Sequence, residues 1–327
     1  MHDMVKEILE KFELGQLQDH ENLQIFPLFY SGNHSPEYLT MKEALEKKLL
    51  VVTEIGKEGS VPELMVKNES DSLVLLLDGE ELMGAKQNRV LNTTILLKTR
   101  SETTIPVSCT EQGRWAYSSP VFMDSNVVAH SKLRAAKLFS VSASLKSSRQ
   151  FSSDQRRVWS EVADLAQEAK VTSPTSAMKD IYKSREKDLS DYLDKFPLVE
   201  GQKGVLVLIN GKVMGMDYLS YPPAFNHLHP KLIKSYALDA VFSKKTNGKD
   251  DVRKLAGDFL TKARESAENR YQSVGLGWDH RYEGKEIVGS ALVHEDKVIH
   301  LAFFATEEKE KIGNISSSSQ RKGYRIL

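Results

Sequence analysis

Six short runs of aliphatic and β-branched residues fill the first third of the chain, and they constrain its fold more than any other feature. They cover residues 23–30, 49–55, 63–67, 73–77, 90–97 and 103–107, and Gly, Asn, Ser or Asp residues bound them. A single helix, over residues 40–48, is predicted among them. A doubly wound parallel sheet needs a crossover helix between successive strands. The pattern therefore predicts a mainly antiparallel, sandwich-like β region.

Helical patterns precede and follow this β region. Residues 1–14 predict a short amphipathic helix, because their apolar residues fall on one helical face. A second helix is predicted from Ser152 onward, and a third over residues 176–196, where Pro197 ends it. The serine-rich stretch 118–149 is predicted as loop with some extended structure.

The second half of the chain opens on a hairpin signal. Asn210-Gly211 lies between two apolar runs, a pattern that favours a type I′ turn. Two helices are predicted next, one beginning at Pro230 and one capped by Asp250 or Asp251. Three strands are then predicted, over residues 271–278, 286–293 and 297–304.

Together these patterns predict an α+β protein. It combines an N-terminal, mainly antiparallel β region, a helical middle, and C-terminal antiparallel strands with two helices. The predicted segments are the β region over residues 1–117, a loop and helical connector over 118–200, an α+β region over 201–306, and a tail over 307–327. The tail is charged and then Ser-rich, so it is predicted to be mobile.

Composition excludes several classes of protein. The chain carries 45 Lys and Arg against 45 Asp and Glu, and this balance gives no general reason to bind nucleic acid or an anionic membrane. The one cysteine, Cys109, cannot form an internal disulfide. No apolar run approaches the roughly 20 residues that span a bilayer, and charges within the first ten residues argue against a targeting signal. The prediction is a cytoplasmic protein.

The sequence carries none of the common cofactor or metal motifs. The sequence has neither a GxGxxG after a strand nor a GxxxxGK[ST], so dinucleotide and P-loop sites are disfavoured. It has no CxxC or HExxH, and its nine histidines are scattered. We therefore predict no cofactor and no metal site.

Two polar segments stand out between the apolar strands: LDGEELMGAKQNRVLN over residues 77–92, and SCTEQGRW over residues 108–115. The first is longer than an ordinary hairpin connection of two to five residues. If the strands on either side of residues 98–102 pair as a hairpin, both segments emerge at the same end of the sheet. Function concentrates in loops that a rigid sheet holds, so this convergence predicts a ligand or catalytic site.

Each polar residue suits a role in such a site. Arg89 and Arg114 can donate two parallel hydrogen bonds to a carboxylate or phosphate. Glu81 and Glu111 are candidate general bases or acceptors for ribose hydroxyls, and Lys86 can neutralise a developing anion. Predicted catalytic residues are Glu81, Glu111 and Lys86. Predicted substrate-binding residues are Gln87, Asn88, Arg89, Asn92, Gln112, Arg114 and Trp115.

Simpler interpretations stand beside these roles. Charged residues at strand ends are usually solvated, and their ion pairs contribute at most roughly 1 kcal/mol each. An aromatic residue such as Trp115 just beyond a strand is often part of the core rather than a stacking surface. Cys109 closes an apolar strand, so a small buried hydrophobe is favoured over a nucleophile. His300 lies in the predicted strand VIHLAFF, where a structural histidine is favoured over a proton-transfer group.

The two polar segments also carry a resemblance. GEELMGAKQNRVLNTT and IPVSCTEQGRW resemble the domain family named for its association with ADP-ribosylglycohydrolases and rhodanese-phosphatase proteins. The resemblance runs from about Leu23 into the strands GVLVLINGK and VIHLAFF, which is most of the chain. It implies a component of pathways that handle NAD-derived or ADP-ribosylated compounds. The family supplies no catalytic residue that carries over to this chain.

The predicted function follows from the charged groups and this resemblance. We expect a hydrolase or transferase that acts on a small anionic, nucleotide-like or ADP-ribose-related compound, because no redox cofactor motif is present. One alternative is a non-catalytic module that senses such a ligand in the same pocket. The other is a scaffold whose polar loop recognises another protein.

Overall fold

The computed structural model describes residues 1–32, 36–56, 58–246 and 251–306. Its helices are α1 (Asp3–Lys11), α2 (Met41–Glu46), α3 (Ser131–Ser148), α4 (Gln155–Ala169), α5 (Met178–Ser184), α6 (Glu186–Lys195), α7 (Pro222–Phe242) and α8 (Val252–Arg264). Its strands are β1 (Glu13–Leu14), β2 (Gln18–His20), β3 (Leu23–Phe29), β4 (Tyr38–Thr40), β5 (Leu50–Glu54), β6 (Glu63–Asn68), β7 (Leu73–Leu76), β8 (Glu80–Gly84), β9 (Arg89–Leu91), β10 (Ile95–Leu97), β11 (Ser101–Cys109), β12 (Phe122–Val128), β13 (Gly204–Ile209), β14 (Lys212–Leu219), β15 (Ala267–Gln272), β16 (Trp278–Gly284), β17 (Ile287–His294) and β18 (Lys297–Ala305). The α+β prediction is confirmed.

A nine-stranded antiparallel sheet joins the first strands of the chain to the last. Its order is β1-β3-β13-β14-β18-β17-β16-β15, with β2 paired to β3. Strand β13 lies near the middle and is buried along its whole length. Val205 and Val207 enter the core beneath α3 to α7, while Leu206 and Leu208 enter the core beneath α1 and α8. Burial on both faces explains why this strand is apolar throughout.

The hairpin between β13 and β14 turns as the sequence predicts. Asn210 has φ 52° and Gly211 has φ 74°, which are the two positive φ values of a type I′ turn. Ile209 pairs with Lys212 across this two-residue connection.

A second β unit forms the sandwich-like region that the sequence predicts. A six-stranded antiparallel sheet of order β12-β8-β9-β11-β6-β5 packs on a three-stranded sheet of order β10-β7-β4. Apolar side chains from both sheets, among them Val66, Leu76, Leu91 and Ile95, share one core. The predicted strand 90–97 is in fact two strands, since the chain turns after Leu91 and passes from one sheet to the other.

The segment boundaries stay a prediction. Strand β3 pairs with β13 over six residues, so the first strands lie in the same sheet as the C-terminal strands. The predicted tail, residues 307–327, lies outside the described residues, as does Asp250. Asp251 caps α8 by accepting hydrogen bonds from the backbone N–H groups of Arg253 and Lys254.

The largest correction concerns residues 118–149, which the sequence predicts as loop with some extended structure. They contain β12 and the 18-residue helix α3. Helix α3 has no clear apolar stripe because it buries charged residues as well as aliphatic ones. Arg134 donates to both carboxylate oxygens of Asp217, at 2.8 and 2.6 Å, and Lys137 pairs with Asp78. Its buried face is therefore partly ionic, and a search for apolar periodicity misses it.

Three other elements differ from the prediction. The sequence predicts a helix that begins at Pro230. Helix α7 instead begins at Pro222, and Pro230 lies in its interior. The predicted helix over 176–196 divides at Arg185 into α5 and α6. The predicted strand 271–278 spans the turn between β15 and β16 instead of forming one strand.

Buried ion pairs attach strand β8 to helix α7, and through it to strand β12. Lys231 of α7 donates to Glu80 of β8 at 2.7 Å and to Asp124 of β12 at 2.8 Å. Glu80 also accepts the backbone N–H of Leu77 at 2.9 Å. These contacts fix β8, which carries the first polar segment. In the described residues, no helix is long and apolar enough to cross a bilayer.

Candidate functional site

The two polar segments meet, as the sequence predicts. Strand β9 pairs antiparallel with β11 so that Arg89 lies opposite Cys109, and the residues beyond each strand end are therefore neighbours. Gln87 Nε2 donates to the Glu111 carbonyl oxygen at 3.0 Å. The Asn88 backbone N–H donates to Glu111 Oε2 at 3.0 Å. Glu111 is the point at which the two segments join.

Arg114 ties the same two segments together. Its Nε donates to Glu111 Oε1 at 3.0 Å and its Nη2 to Glu111 Oε2 at 2.6 Å, a fork-to-fork pair. Its Nη1 donates to the carbonyl oxygens of Ala85 at 2.6 Å and Ala116 at 2.8 Å. Protein acceptors already engage the guanidinium on every nitrogen. Arg114 therefore acts here as a structural clamp, and a ligand-binding role for it stays a prediction.

Glu111 is held as a carboxylate. Burial by itself raises its pKa, but hydrogen bonds from Arg114, Thr175 and the Asn88 backbone lower the pKa by more than burial raises it. The pKa of Glu111 is therefore below its usual value. Thr175 Oγ1 contributes one of these bonds at 2.7 Å. A carboxylate with a lowered pKa and occupied oxygens is a weak proton acceptor. Its role as a general base stays a prediction that this environment disfavours.

Glu81 has the opposite electrostatic character. Its side chain lies on β8 and is fully buried. Burial raises its pKa from 4.5 to about 7, while the hydroxyls of Thr110 and Ser125 and the charge of Lys179 oppose that rise. Thr110 Oγ1 donates to Glu81 Oε1 at 2.6 Å. A carboxyl group with a pKa near neutrality suits general acid–base chemistry, and such shifts are common at functional sites.

A surface cleft of about 430 Å³ opens beside these groups. Three of the predicted residues, Asn88, Glu111 and Arg114, line it. Met83 of β8 lies in its wall, two residues along the strand from Glu81 and on the same strand face. The cleft therefore adjoins the raised-pKa carboxyl group without including it.

The cleft also contains residues that sequence reasoning missed. Lys179 of α5 lines it, and the one hydrogen-bond acceptor of its ammonium group in the described chain is Met83 Sδ, at 3.1 Å. No described carboxylate forms an ion pair with Lys179. Thr175 and Asp180 line the same wall. They reach the site through a bridge between Glu111 and Ala177, a long-range pairing that no local sequence signal announces.

Four predicted residues form a group that does not line this cleft. Lys86 Nζ lies 5.1 Å from the centre of the Trp115 ring, and Arg89 Cζ lies 5.7 Å from the same point. Arg89 is fully buried, whereas Trp115 is 47% exposed and so is not a core residue. Gln87 Oε1 accepts a hydrogen bond from Arg89 Nη1 at 3.0 Å. The predicted residues thus divide between the cleft and the surroundings of Trp115.

Two further predicted residues lie apart from both groups. Asn92 donates to the Phe151 carbonyl oxygen at 3.1 Å and accepts from Ser108 Oγ at 2.7 Å, which are structural contacts. Gln112 is exposed to solvent. Their roles in substrate binding stay predictions.

Cys109 and His300 have structural surroundings. Burial raises the pKa of the Cys109 thiol above its usual value, which disfavours the nucleophilic thiolate. His300 is buried, with Nδ1 2.9 Å from Thr94 Oγ1 and Nε2 3.3 Å from Asp217 Oδ1. Both ring nitrogens therefore have protein partners. For metals, no group of three or more His, Cys, Asp or Glu is placed to hold an ion in the part of the chain that the structure describes.

Comparison with known proteins gives one family. Residues 11–304 match the family described as the ARG and Rhodanese-Phosphatase-superfamily-associated Protein domain. No curated protein and no solved structure matches the chain. The matched range includes the cleft, the Glu81 carboxyl group and the surroundings of Trp115, as well as nearly all of both β units. The chain belongs to the ARG and Rhodanese-Phosphatase-superfamily-associated Protein domain family.

Proposed function

We propose that this chain binds a small anionic, nucleotide-like compound, of the kind derived from ADP-ribose or NAD, in the cleft beside Lys179. The observation that carries the proposal is a half-buried lysine, Lys179, that lines a cleft and forms no ion pair with a carboxylate among the described residues. A cation held in this way is available to an anionic ligand. The cleft volume of about 430 Å³ lies within the range of small-molecule sites, roughly 300–1,000 Å³.

The other groups in the cleft suit the remaining parts of a nucleotide. Asp180 carries carboxylate oxygens that can accept hydrogen bonds from sugar hydroxyls, and Ser118 and Ser119 carry hydroxyl groups. Met83 and Met123 supply thioethers, which make favourable contacts with aromatic rings. The family name, which refers to association with ADP-ribosylglycohydrolases, agrees with this chemistry. Cytoplasmic location is part of the proposal, and the single cysteine, buried and free, is consistent with it.

Binding without turnover is the form of the function that the geometry supports best. Glu111, the glutamate in the cleft wall, is already paired with Arg114. Glu81 has a suitable pKa but no exposed surface. A general base must reach the proton that it removes, directly or through one water molecule. The cleft therefore fits a ligand-sensing module better than an acid–base catalyst.

The binding proposal is tested by calorimetric titration with ADP-ribose. Lys179→Gln removes one charge-assisted hydrogen bond, which is worth about 1.5–3 kcal/mol, so its Kd should rise roughly 10- to 100-fold. Lys183→Gln is the matched control, because Lys183 is exposed on the same helix and lines no part of the cleft. Its Kd should stay within about twofold of the wild-type value. Equal affinity in all three proteins, or no binding in any, would contradict the proposal.

A hydrolase or transferase is the second candidate, and the pKa of Glu81 favours it. If the compound is consumed, Glu81→Gln should lower turnover by roughly a hundredfold, the scale of general acid–base catalysis. Glu63→Gln, in the exposed start of β6, is the control that changes the same group outside the site. Full turnover in Glu81→Gln, or ligand recovered intact after long incubation with the wild-type chain, would exclude this candidate.

A further inference from the structure

Arg89 presents an unused hydrogen-bonding edge inside the protein. Its side chain is fully buried, and neither Nε nor Nη2 has a hydrogen-bond acceptor among the described residues. Nη1 is engaged, since it donates to Gln87 Oε1 at 3.0 Å and to the Asn88 carbonyl oxygen at 3.4 Å. The unused pair, Nε and Nη2, is the side-on fork with which arginine binds a phosphate or carboxylate in two parallel hydrogen bonds. A buried guanidinium with this edge empty is costly unless something fills it.

A second cation, Lys86, lies over the same Trp115 ring as Arg89. Lys86 Nζ lies 5.1 Å from the centre of the Trp115 ring and 5.3 Å from that of Tyr117, and it donates to the Glu58 carbonyl oxygen. Lys86 is 8% exposed, whereas Trp115 and Tyr117 are 47% and 53% exposed. The two aromatic side chains therefore stand between the cations and solvent, on a segment with no regular secondary structure.

Glu54 is the described carboxylate that forms an ion pair here, and it satisfies the cations incompletely. Its Oε1 is 3.9 Å from Arg89 Nη2, beyond hydrogen-bond distance, and accepts the Lys86 backbone N–H at 3.2 Å. Its Oε2 has no partner in the described residues. Glu54 thus accepts no hydrogen bond from the guanidinium group of Arg89 or from the ammonium group of Lys86. The local excess of positive charge favours an added anion.

We infer that Arg89 and Lys86 form a phosphate-binding site covered by Trp115. The phosphate group accepts the two free hydrogen bonds of the Arg89 fork and is neutralised by Lys86, and Trp115 moves to admit it. Two cations favour a doubly charged phosphate over a singly charged carboxylate. None of Glu54, Lys86, Arg89 and Trp115 lines the cleft of the proposed function, so this site does not depend on that proposal.

Tryptophan fluorescence of the full chain tests the inference, with inorganic phosphate as the probe and acetate as the comparison at matched ionic strength. Phosphate should give a saturable change in fluorescence. Acetate should bind about tenfold more weakly, as expected for the loss of roughly one charge-assisted hydrogen bond. The change should disappear in Trp115→Phe and persist in Trp278→Phe, which alters an exposed tryptophan of β16. No saturable change with phosphate, or a change that survives in Trp115→Phe, would overturn the inference.

Variants of the charged groups locate the anion. Lys86→Met should raise the phosphate Kd about tenfold, whereas Glu54→Gln should lower it, because the competing carboxylate is removed. Arg89→Lys keeps the charge and loses the fork, so the variant should bind phosphate more weakly where circular dichroism shows that it folds. If Arg89→Lys is unfolded, the Lys86→Met and Glu54→Gln results decide. Weaker phosphate binding in Glu54→Gln would overturn the site. Loss of binding in Lys179→Gln with retention in Lys86→Met would place phosphate in the cleft and also overturn it.

Discussion

Glu81 should make the stability of this protein fall as pH rises through neutrality. Its folded pKa is about 7 against an unfolded value of 4.5, so the folded state holds its proton more tightly. The resulting stabilisation is complete below about pH 4.5 and is lost as pH rises through 7. Over the interval from pH 5 to pH 8, the linkage relation gives a loss of about 2.5 kcal/mol from this one group.

Urea unfolding of the wild type and Glu81→Gln at pH 5, 6, 7 and 8 measures this effect. The amide does not titrate, so the unfolding free energy of the wild type minus that of the variant should fall by about 2.5 kcal/mol across the series. Titration of other groups cancels in this difference, apart from groups that Glu81 itself perturbs. Glu63→Gln, on the exposed start of β6, serves as the control and should give a flat difference. A flat difference for Glu81→Gln would refute the raised pKa and the reasoning built on it.

Three further predictions concern the groups around the site. Arg134→Met should lower the unfolding free energy by about 3–5 kcal/mol, because it leaves Asp217 buried without its arginine partner. The control Arg100→Met, at an exposed ion pair, should change the unfolding free energy little. Urea unfolding measures both variants, and equal effects would contradict the stabilising role of the buried pair. Arg114→Lys should cost about 2 kcal/mol by breaking the fork to Glu111, and an unchanged Tm would show that the clamp does not hold the loops. Cys109 should react with a thiol reagent far more slowly in the native chain than in urea, and equal rates would contradict its burial.

The sequence predicts the site best where the chemistry is local. The pairing of β9 with β11 brings Arg89 opposite Cys109. This one pair of strands is enough to place the two polar segments side by side. The prediction therefore captures the convergence of residues 85–88 with 110–114. It does not capture which charges remain available. Arg114 looks free in the sequence, yet backbone carbonyl groups and Glu111 occupy its donors.

The residues that were missed depend on contacts across long separations. Lys179 reaches the cleft because Ala177 bridges to Glu111, 66 positions earlier in the chain, and nothing near Lys179 indicates this. Helix α3 was missed for a related reason. Its buried Arg134 and Lys137 find carboxylates on β14 and before β8, so positions that look solvent-exposed in the sequence lie in the core. When charged residues are buried as ion pairs, polar residues occupy positions on the buried face of the helix. The apolar pattern on which helix prediction depends is then absent.

The start of helix α7 differs from the prediction because the chain has two candidate proline positions. Pro230 suits the first turn of a helix, and the sequence offers it as the start of one. Pro222 and Pro223 fill that role eight residues earlier, and the helix continues through Pro230. Tertiary packing sustains the interior proline, since the residues around it, including Leu228 and Leu232, are buried. Packing therefore outweighs the local cost of the lost backbone hydrogen bond.

A crystal structure of the chain grown with ADP-ribose tests the proposed ligand site most directly. We predict phosphate oxygens of the ligand within hydrogen-bond distance of Lys179 Nζ, and the adenine ring against the thioethers of Met83 and Met123. Crystals that diffract well and contain ADP-ribose elsewhere, with the space beside Lys179 filled by solvent alone, would contradict the account.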